Sequence, residues 1–404
     1  MKLPTKSDLK NNILLPALIL VYSASMLWVD AEFTFPVVLV CFVIVALRYR
    51  KIRVDYSDAL IFFGMFTYQY VQDGLRSGLF YGAAMFAVYQ LGKCAITKTG
   101  GRDEYGSFPV VIPAVVLFVI GLLNYTYVFR NPPEHRIYEW PDWRGHSVLR
   151  TIHEYFLVLI AALLVWFIIY TILKSKWGLI GIALSCTGIA ISLFATGRMS
   201  TVVCICTMML VGIGMFIEKG LFKKKWFLII AAVFAAIIVA AYVCFLINVL
   251  GIRDLYEDSF LGRNGGILHN VRFELMYDGI IDIIAHPWGN NTEKLAYAAH
   301  DYSFAHNTWI DMGRRGGLLP LILTVGFTFS NVINMIFCWV KSKNINKYAL
   351  IAGFIGMTLL NMVEPVFLSS PWIWSLEVYL AGLICGVCDS ISEPEREIAV
   401  KCRA

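Results

Sequence analysis

Charge is what this sequence has least of. Asp, Glu, Lys and Arg make up 15% of its 404 residues, and 58% are hydrophobic; a soluble domain carries about 25% charged residues. Too few polar groups remain to cover so much apolar surface, which excludes a soluble globular protein and points to lipid as solvent. Alternation is lacking as well. The apolar stretches are continuous rather than alternately apolar and polar, which excludes a transmembrane β-barrel. Helix is then the form that satisfies its own backbone in lipid. Cysteine is missing where it would make a disulfide framework. The ten cysteines include none in an outward polar loop, so no such framework is expected. Cys385-x-x-Cys388 has no partner pair and sits in an apolar run, which argues against a redox or metal pair. The first apolar run is too long for a removable leader and lacks a small-residue cleavage site, so it is expected to remain as the first anchor.

What is there is a series of apolar runs near the roughly 20 residues that cross a bilayer. They lie at about 12–29, 32–47, 57–72, 78–92, 107–128, 153–173, 177–195, 200–217, 226–250, 317–339, 348–363 and 371–388. The pattern predicts an all-α integral membrane protein of about twelve transmembrane helices. Helices one to nine fill 1–250. A large polar loop, 251–316, stands between helices nine and ten, and helices ten to twelve with a charged tail fill 317–404. An even number of spans puts both termini on one side. Roughly two thirds of the 34 Lys and Arg lie on that side, so the positive-inside rule makes the termini cytoplasmic and turns the large loop outward.

The outward side lacks lysine. Lys294 is alone there, and every other outward cation is arginine. Topology does not select Arg over Lys. The guanidinium fork, however, grips phosphate or carboxylate in bidentate fashion, which suggests a polyanionic ligand such as a pyrophosphate. The plainer reading is that these arginines snorkel to the interface and pair with Asp and Glu.

Three constellations carry candidate chemistry. Arg198, in Thr196-Gly197-Arg198-Met199-Ser200, sits between two apolar runs with almost no loop to release it. A charge so placed is costly and usually functional, unless it snorkels from a short hairpin. Arg272 opens a segment with apolar residues at 273, 276, 280, 281 and 284, the spacing of an amphipathic helix over about 270–285 along the membrane surface. Pro287 and Gly289 close it. Arg272 there either binds a ligand or only pairs with Glu274 or Asp278. His306-Asn307 stands at the mouth of the tenth span. An imidazole titrating near neutrality suits a proton acceptor, and Asn307 can hold a hydroxyl or orient the ring; the alternative is an interfacial histidine bonded to a loop carbonyl. Arg263, Arg314 and Arg315 of the same loop complete the substrate-binding candidates read from the residues. His300, Asp301 and His306 lack the spacing of a helical ligand pair, so no metal is expected.

In this order the pieces resemble the O-antigen polymerase and O-antigen ligase superfamily of bacterial surface-polysaccharide enzymes. The carriers are Arg198 at the outer end of a middle span, Arg272 opening a loop helix that ends at Pro287 to Gly289, and His306-Asn307 followed by Ile310, Gly313 and Gly316. The turn is one residue shorter than the Pro-x-x-Gly pattern. The resemblance covers about 195–325 and otherwise rests on span count. It implies a GT-C-like glycosyltransferase fold in the bacterial inner (plasma) membrane that takes oligosaccharide from undecaprenyl diphosphate and passes it to an acceptor hydroxyl. Arg198 and Arg272 would bind the pyrophosphate, and His306 would position or deprotonate the acceptor. Glu364, after the eleventh span, resembles an acidic residue of that region and is on that ground a further substrate-binding candidate. No metal or other cofactor is implied. The expected partners are the lipid-linked donor, a glycan acceptor and membrane lipid, with a chain-length regulator and a flippase as companions and no nucleic acid.

Two other readings compete. An O-antigen ligase would deliver the glycan to lipid A core, and polymerase is favoured because no core-specific feature is visible. A twelve-helix secondary transporter, of another class, usually carries a long cytoplasmic connector between spans six and seven. Here that connector is only Lys174-Ser175-Lys176, and no repeat relates the halves.

Overall fold

The structure, a computed structural model, describes residues 13–26, 31–49, 52–97, 109–116, 137–141, 147–151, 271–290, 295–297, 300–343, 347–364, 366–369 and 371–401, together with single residues and short pieces between 203 and 254. The sixth and seventh expected spans, Arg198 and Arg263 lie outside the described residues.

Helix dominates. In chain order come α1 (Leu14–Ser25), α2 (Ala31–Tyr49), α3 (Tyr56–Asp73), α4 (Leu75–Thr97), the strands β1 (Ile137–Pro141) and β2 (Ser147–Thr151), α5 (Val271–Ala285), β3 (Leu295–Tyr297), β4 (His300–Tyr302), α6 (Thr308–Gly316), α7 (Leu318–Lys341), α8 (Lys347–Val363), α9 (Val366–Ser369) and α10 (Pro371–Lys401). Among the described residues, four helical stretches are long and apolar enough to cross a membrane: Glu32–Tyr49, Leu75–Ile96, Leu318–Lys341 and Pro371–Ile391. α1 and α8 are apolar but shorter. α3 is not among the four; Asp58, Gln69, Gln72 and Asp73 reduce its apolarity. Among the described residues, two small antiparallel hairpins interrupt the helical pattern, with Ile137 opposite Thr151 and Leu295 opposite Tyr302. Both fall in stretches the sequence reads as polar loop, where a five-residue and a three-residue strand leave no hydropathy signal.

α10 is the axis of the described bundle. Its apolar stretch is almost wholly buried, whereas those of α2 and α7 are 28% and 33% buried. Trp372, Trp374 and Tyr379 are its large buried side chains. α4 meets it with the backbones nearly touching. A Cβ on Gly92 would strike the Tyr379 carbonyl, and one on Gly382 would strike the Tyr89 carbonyl. Small residues that admit such an approach are how helices associate where lipid removes the hydrophobic drive between them.

One end of this pair is pinned by polar groups. Asp55 caps α3 through a capping box with Asp58, and Lys93, from α4, bonds Asp55 and approaches Asp389 of α10 at 3.6 Å. Burial pushes the Asp55 carboxyl up, but the Lys93 hydrogen bond and charge outweigh it and hold the group below the usual range. Cys385 donates to Asp55 Oδ2 at 3.3 Å and Cys388 to the Asn334 carbonyl at 3.2 Å. Both thiols therefore serve as donors in helix packing.

Candidate functional site

The site is assembled where α5, α6 and the end of α8 meet. α5 turns Leu275, Gly279 and Ile283 inward. A Cβ on Gly279 would come 2.6 Å from Ile310 Cγ2 and 3.1 Å from Ala305 Cβ, so α5 lies on α6 with no clearance. Its far end is fixed by the turn at Pro287–Gly289, which lodges against the joint between α6 and α7. There Leu318 N–H donates to the Pro287 carbonyl at 2.8 Å and Asn290 N–H to the Arg315 carbonyl at 2.6 Å. Gly289 (φ 77°) and Gly317 (φ 92°) face each other, and a Cβ on Gly317 would sit 2.7 Å from the Trp288 carbonyl carbon. Both positions need glycine twice over, for the left-handed backbone and for the space.

The loop entering α6 is shaped by two side chains of that helix's first turns. Asp311, wholly buried, accepts from Ala305 N–H at 2.7 Å and from Asn307 N–H at 3.3 Å. Burial pushes its carboxyl up to about 6, against the pull of those two N–H bonds and of the nearby Arg314 guanidinium. Asn307 caps the helix, its Oδ1 accepting from Trp309 and Ile310 N–H at 3.1 Å each. Between the two N–H groups that Asp311 holds, His306 is forced to a left-handed φ of 57°. A histidine held there stores strain, a feature that clusters at functional sites.

α8 supplies the third wall. Its last carbonyls would be orphaned at a helix C-terminus, and three side chains of the site satisfy them. Asn307 Nδ2 donates to the Met362 carbonyl at 3.1 Å, Arg272 Nη1 to that of Val363 at 2.6 Å, and Thr308 Oγ1 to that of Glu364 at 2.9 Å. The Glu364 carboxylate stands at the negative end of the helix dipole, an unfavourable place for an anion. Arg272 Nη1 lies 2.9 Å from its Oε1, and His306 Nδ1 lies 3.5 Å from its Oε2. Nδ1 is buried with no hydrogen bond of its own, so the carboxylate is its electrostatic neighbour. The side chains of Arg272 and His306 keep 21% and 27% of their surface exposed. Both side chains are thus partly exposed at the surface of the cluster.

The remaining candidates are placed differently. Arg314 is buried, donating Nε to Asp282 Oδ2 at 2.7 Å and approaching Asp311 at 3.8 Å. Asp282 also meets His286 Nδ1 at 3.1 Å. Arg314 and Asn307 are therefore bound into the frame of the site. Arg315 reaches the Ser303 carbonyl at 3.4 Å and lies over the Phe304 ring, 5.0 Å from its centroid, while its own carbonyl accepts from Gln72 Nε2 at 2.7 Å. Among the described residues, no group of three His, Cys, Asp or Glu side chains is arranged to hold a metal ion.

Sequence reasoning passed over Asp311, Thr308, Asn361 and Glu377. Thr308 Oγ1 also reaches Asn361 Oδ1 at 3.0 Å, and Asn361 Nδ2 donates to Glu377. The signal on offer was Glu377, an acid inside an apolar run.

No protein-family model matches the sequence, and no curated protein matches it.

Proposed function

We propose that the protein is a bacterial surface-polysaccharide polymerase that transfers oligosaccharide from undecaprenyl diphosphate to a glycan hydroxyl on the outer face of the inner membrane. The observation that supports this best is the meeting of Arg272 and His306, far apart in the chain, on the two carboxylate oxygens of Glu364. A cation and a potential base beside one acid, partly exposed at the start of the short helix that precedes a membrane-spanning one, suit a reaction between a lipid diphosphate and a hydroxyl.

In this reading the roles follow from chemistry. As the glycosyl bond to the diphosphate breaks, charge develops on phosphate oxygens, and fixed Arg donors stabilise it more in the transition state than before it. Arg272, together with Arg198, is assigned to that charge. His306 takes the proton of the acceptor hydroxyl as that oxygen bonds the anomeric carbon and the lipid diphosphate leaves. Its Nδ1 is buried beside Glu364, which leaves Nε2 for the incoming proton, and help of this kind is typically worth about 10²–10⁴ in rate. Glu364 orients both residues and favours the imidazolium once formed. The full twelve-span, GT-C-like architecture, cytoplasmic termini and outward loop belong to the same proposal, as do partnership with a flippase and a chain-length regulator.

Donor binding tests the division of labour. Purified His306→Ala is expected to bind the undecaprenyl-diphosphate donor like the unaltered protein, and Arg272→Ala to bind it poorly. Equal loss in both variants would move His306 to the diphosphate side and refute the acceptor role.

A further inference from the structure

We infer that Glu377, a carboxylate in the interior of the bundle, is a positioning residue for the Arg272–Glu364–His306 site and acts through Asn361 and Thr308. The inference rests on the reading of that site given above. Glu377 lies in the stretch of α10 that is long and apolar enough to cross a membrane, and it is 1% exposed. An acid so placed is costly and is kept where it serves a purpose.

Both of its oxygens are engaged. Oε1 accepts from Thr358 Oγ1 at 3.0 Å, and Oε2 accepts from Asn361 Nδ2. Asn361 then offers Oδ1 to Thr308 Oγ1 at 3.0 Å, and the same hydroxyl lies 2.9 Å from the Glu364 carbonyl. A continuous path therefore runs from the second turn of α10, through α8, to the first residue of α6. Thr308 directly follows His306 and Asn307, and its hydroxyl also holds the backbone of Glu364. An amide has two unlike ends. Asn361 Nδ2 also donates to the Met357 carbonyl at 3.0 Å; as its second acceptor, Glu377 helps to fix which end of Asn361 faces Thr308, and so helps to set the spacing of His306 from Glu364. The amide in the path has no titratable proton to hand on, so the chain orients the site rather than conducting protons to it. Gln at 377 keeps an acceptor oxygen for Asn361; Leu does not.

The experiment uses the full chain in lipid nanodiscs as the unaltered protein, Glu377→Gln, Glu377→Leu, Thr308→Val and the double variant Glu377→Leu/Thr308→Val. Amount, thermal stability and the rate at which diethyl pyrocarbonate modifies His306 across pH are measured, the last by peptide mass spectrometry. The His306 rate is independent of what the protein transfers, so this inference and the glycosyl-transfer reading fail separately. Glu377→Leu and Thr308→Val are each expected to change the rate by about threefold or more, with no further change in the double variant, because both cut one chain. Glu377→Gln should retain the parental rate and pH profile. An unchanged His306 rate in Glu377→Leu, or additive effects in the double variant, would overturn the inference. If Glu377→Leu does not accumulate, Asn361→Leu decides, because it cuts the path between Glu377 and Thr308 and leaves the Thr308 bond to the Glu364 carbonyl in place: a changed His306 rate there with a parental rate in Glu377→Gln supports the chain, and a parental rate in Asn361→Leu refutes it.

Discussion

At the scale of single residues, the site depends on how each charged group is held. Arg272 touches both a carboxylate oxygen and a helix-terminal carbonyl with one nitrogen, at 2.9 and 2.6 Å. A lysine has the charge but not the planar fork. Arg272→Lys should therefore lower polymer formation by about tenfold or more, while Arg76→Lys, at the exposed start of α4, leaves it unchanged; glycan ladders from membranes with matched protein amounts compare the two. Asp311 gives a pH prediction. Its folded-state pKa of about 6 stands above the ordinary 3.8, so between those values the folded protein binds more protons than the unfolded chain. Stability is then lost as pH rises through this window and stays lower above it. Thermal unfolding from pH 4 to 7 should show the unaltered protein losing stability relative to Asp311→Asn as pH rises. A constant difference between the two would show that Asp311 does not titrate there.

At the scale of elements, some of the structure could be read from spacing and some could not. The amphipathic pattern from 270 to 285 became α5 (Val271–Ala285), and the apolar run from 317 to 339 became α7 (Leu318–Lys341), because periodicity and hydropathy are local properties. The break that makes α6 a separate helix turns on Gly317, whose φ of 92° does not show in a Gly-Gly pair read as sequence. The partners of Arg272 and His306 were illegible for another reason. Glu364 stands after α8, and only tertiary packing brings it to them; the sequence offered Glu274 and Asp278 as nearer partners for Arg272. The same packing makes the α6–α7 joint fragile. Gly289→Ala and Gly317→Ala each place a methyl group against backbone and demand a strained φ, which costs about 1–3 kcal/mol. Both variants should lower the melting temperature of the purified protein, whereas Gly326→Ala, whose Cβ would meet only Leu60 at 3.7 Å or more, should not.

At the scale of the whole molecule, the account needs the site to face the side where a lipid-linked glycan is presented. A reporter that is active only after export should respond when fused at Glu293 and stay silent at Lys343; the reverse pattern would put the site in the cytoplasm. The central claim is that Arg272, Glu364 and His306 form one catalytic unit that transfers glycan from a lipid diphosphate. Its most direct test is transfer by the purified protein in liposomes, supplied only with undecaprenyl-diphosphate-linked oligosaccharide as donor and acceptor and read as the length of the lipid-linked product. The account predicts chain growth by the unaltered protein and its near-complete loss in both His306→Ala and Arg272→Ala. No growth with the unaltered protein, or parental growth in either variant, would contradict it.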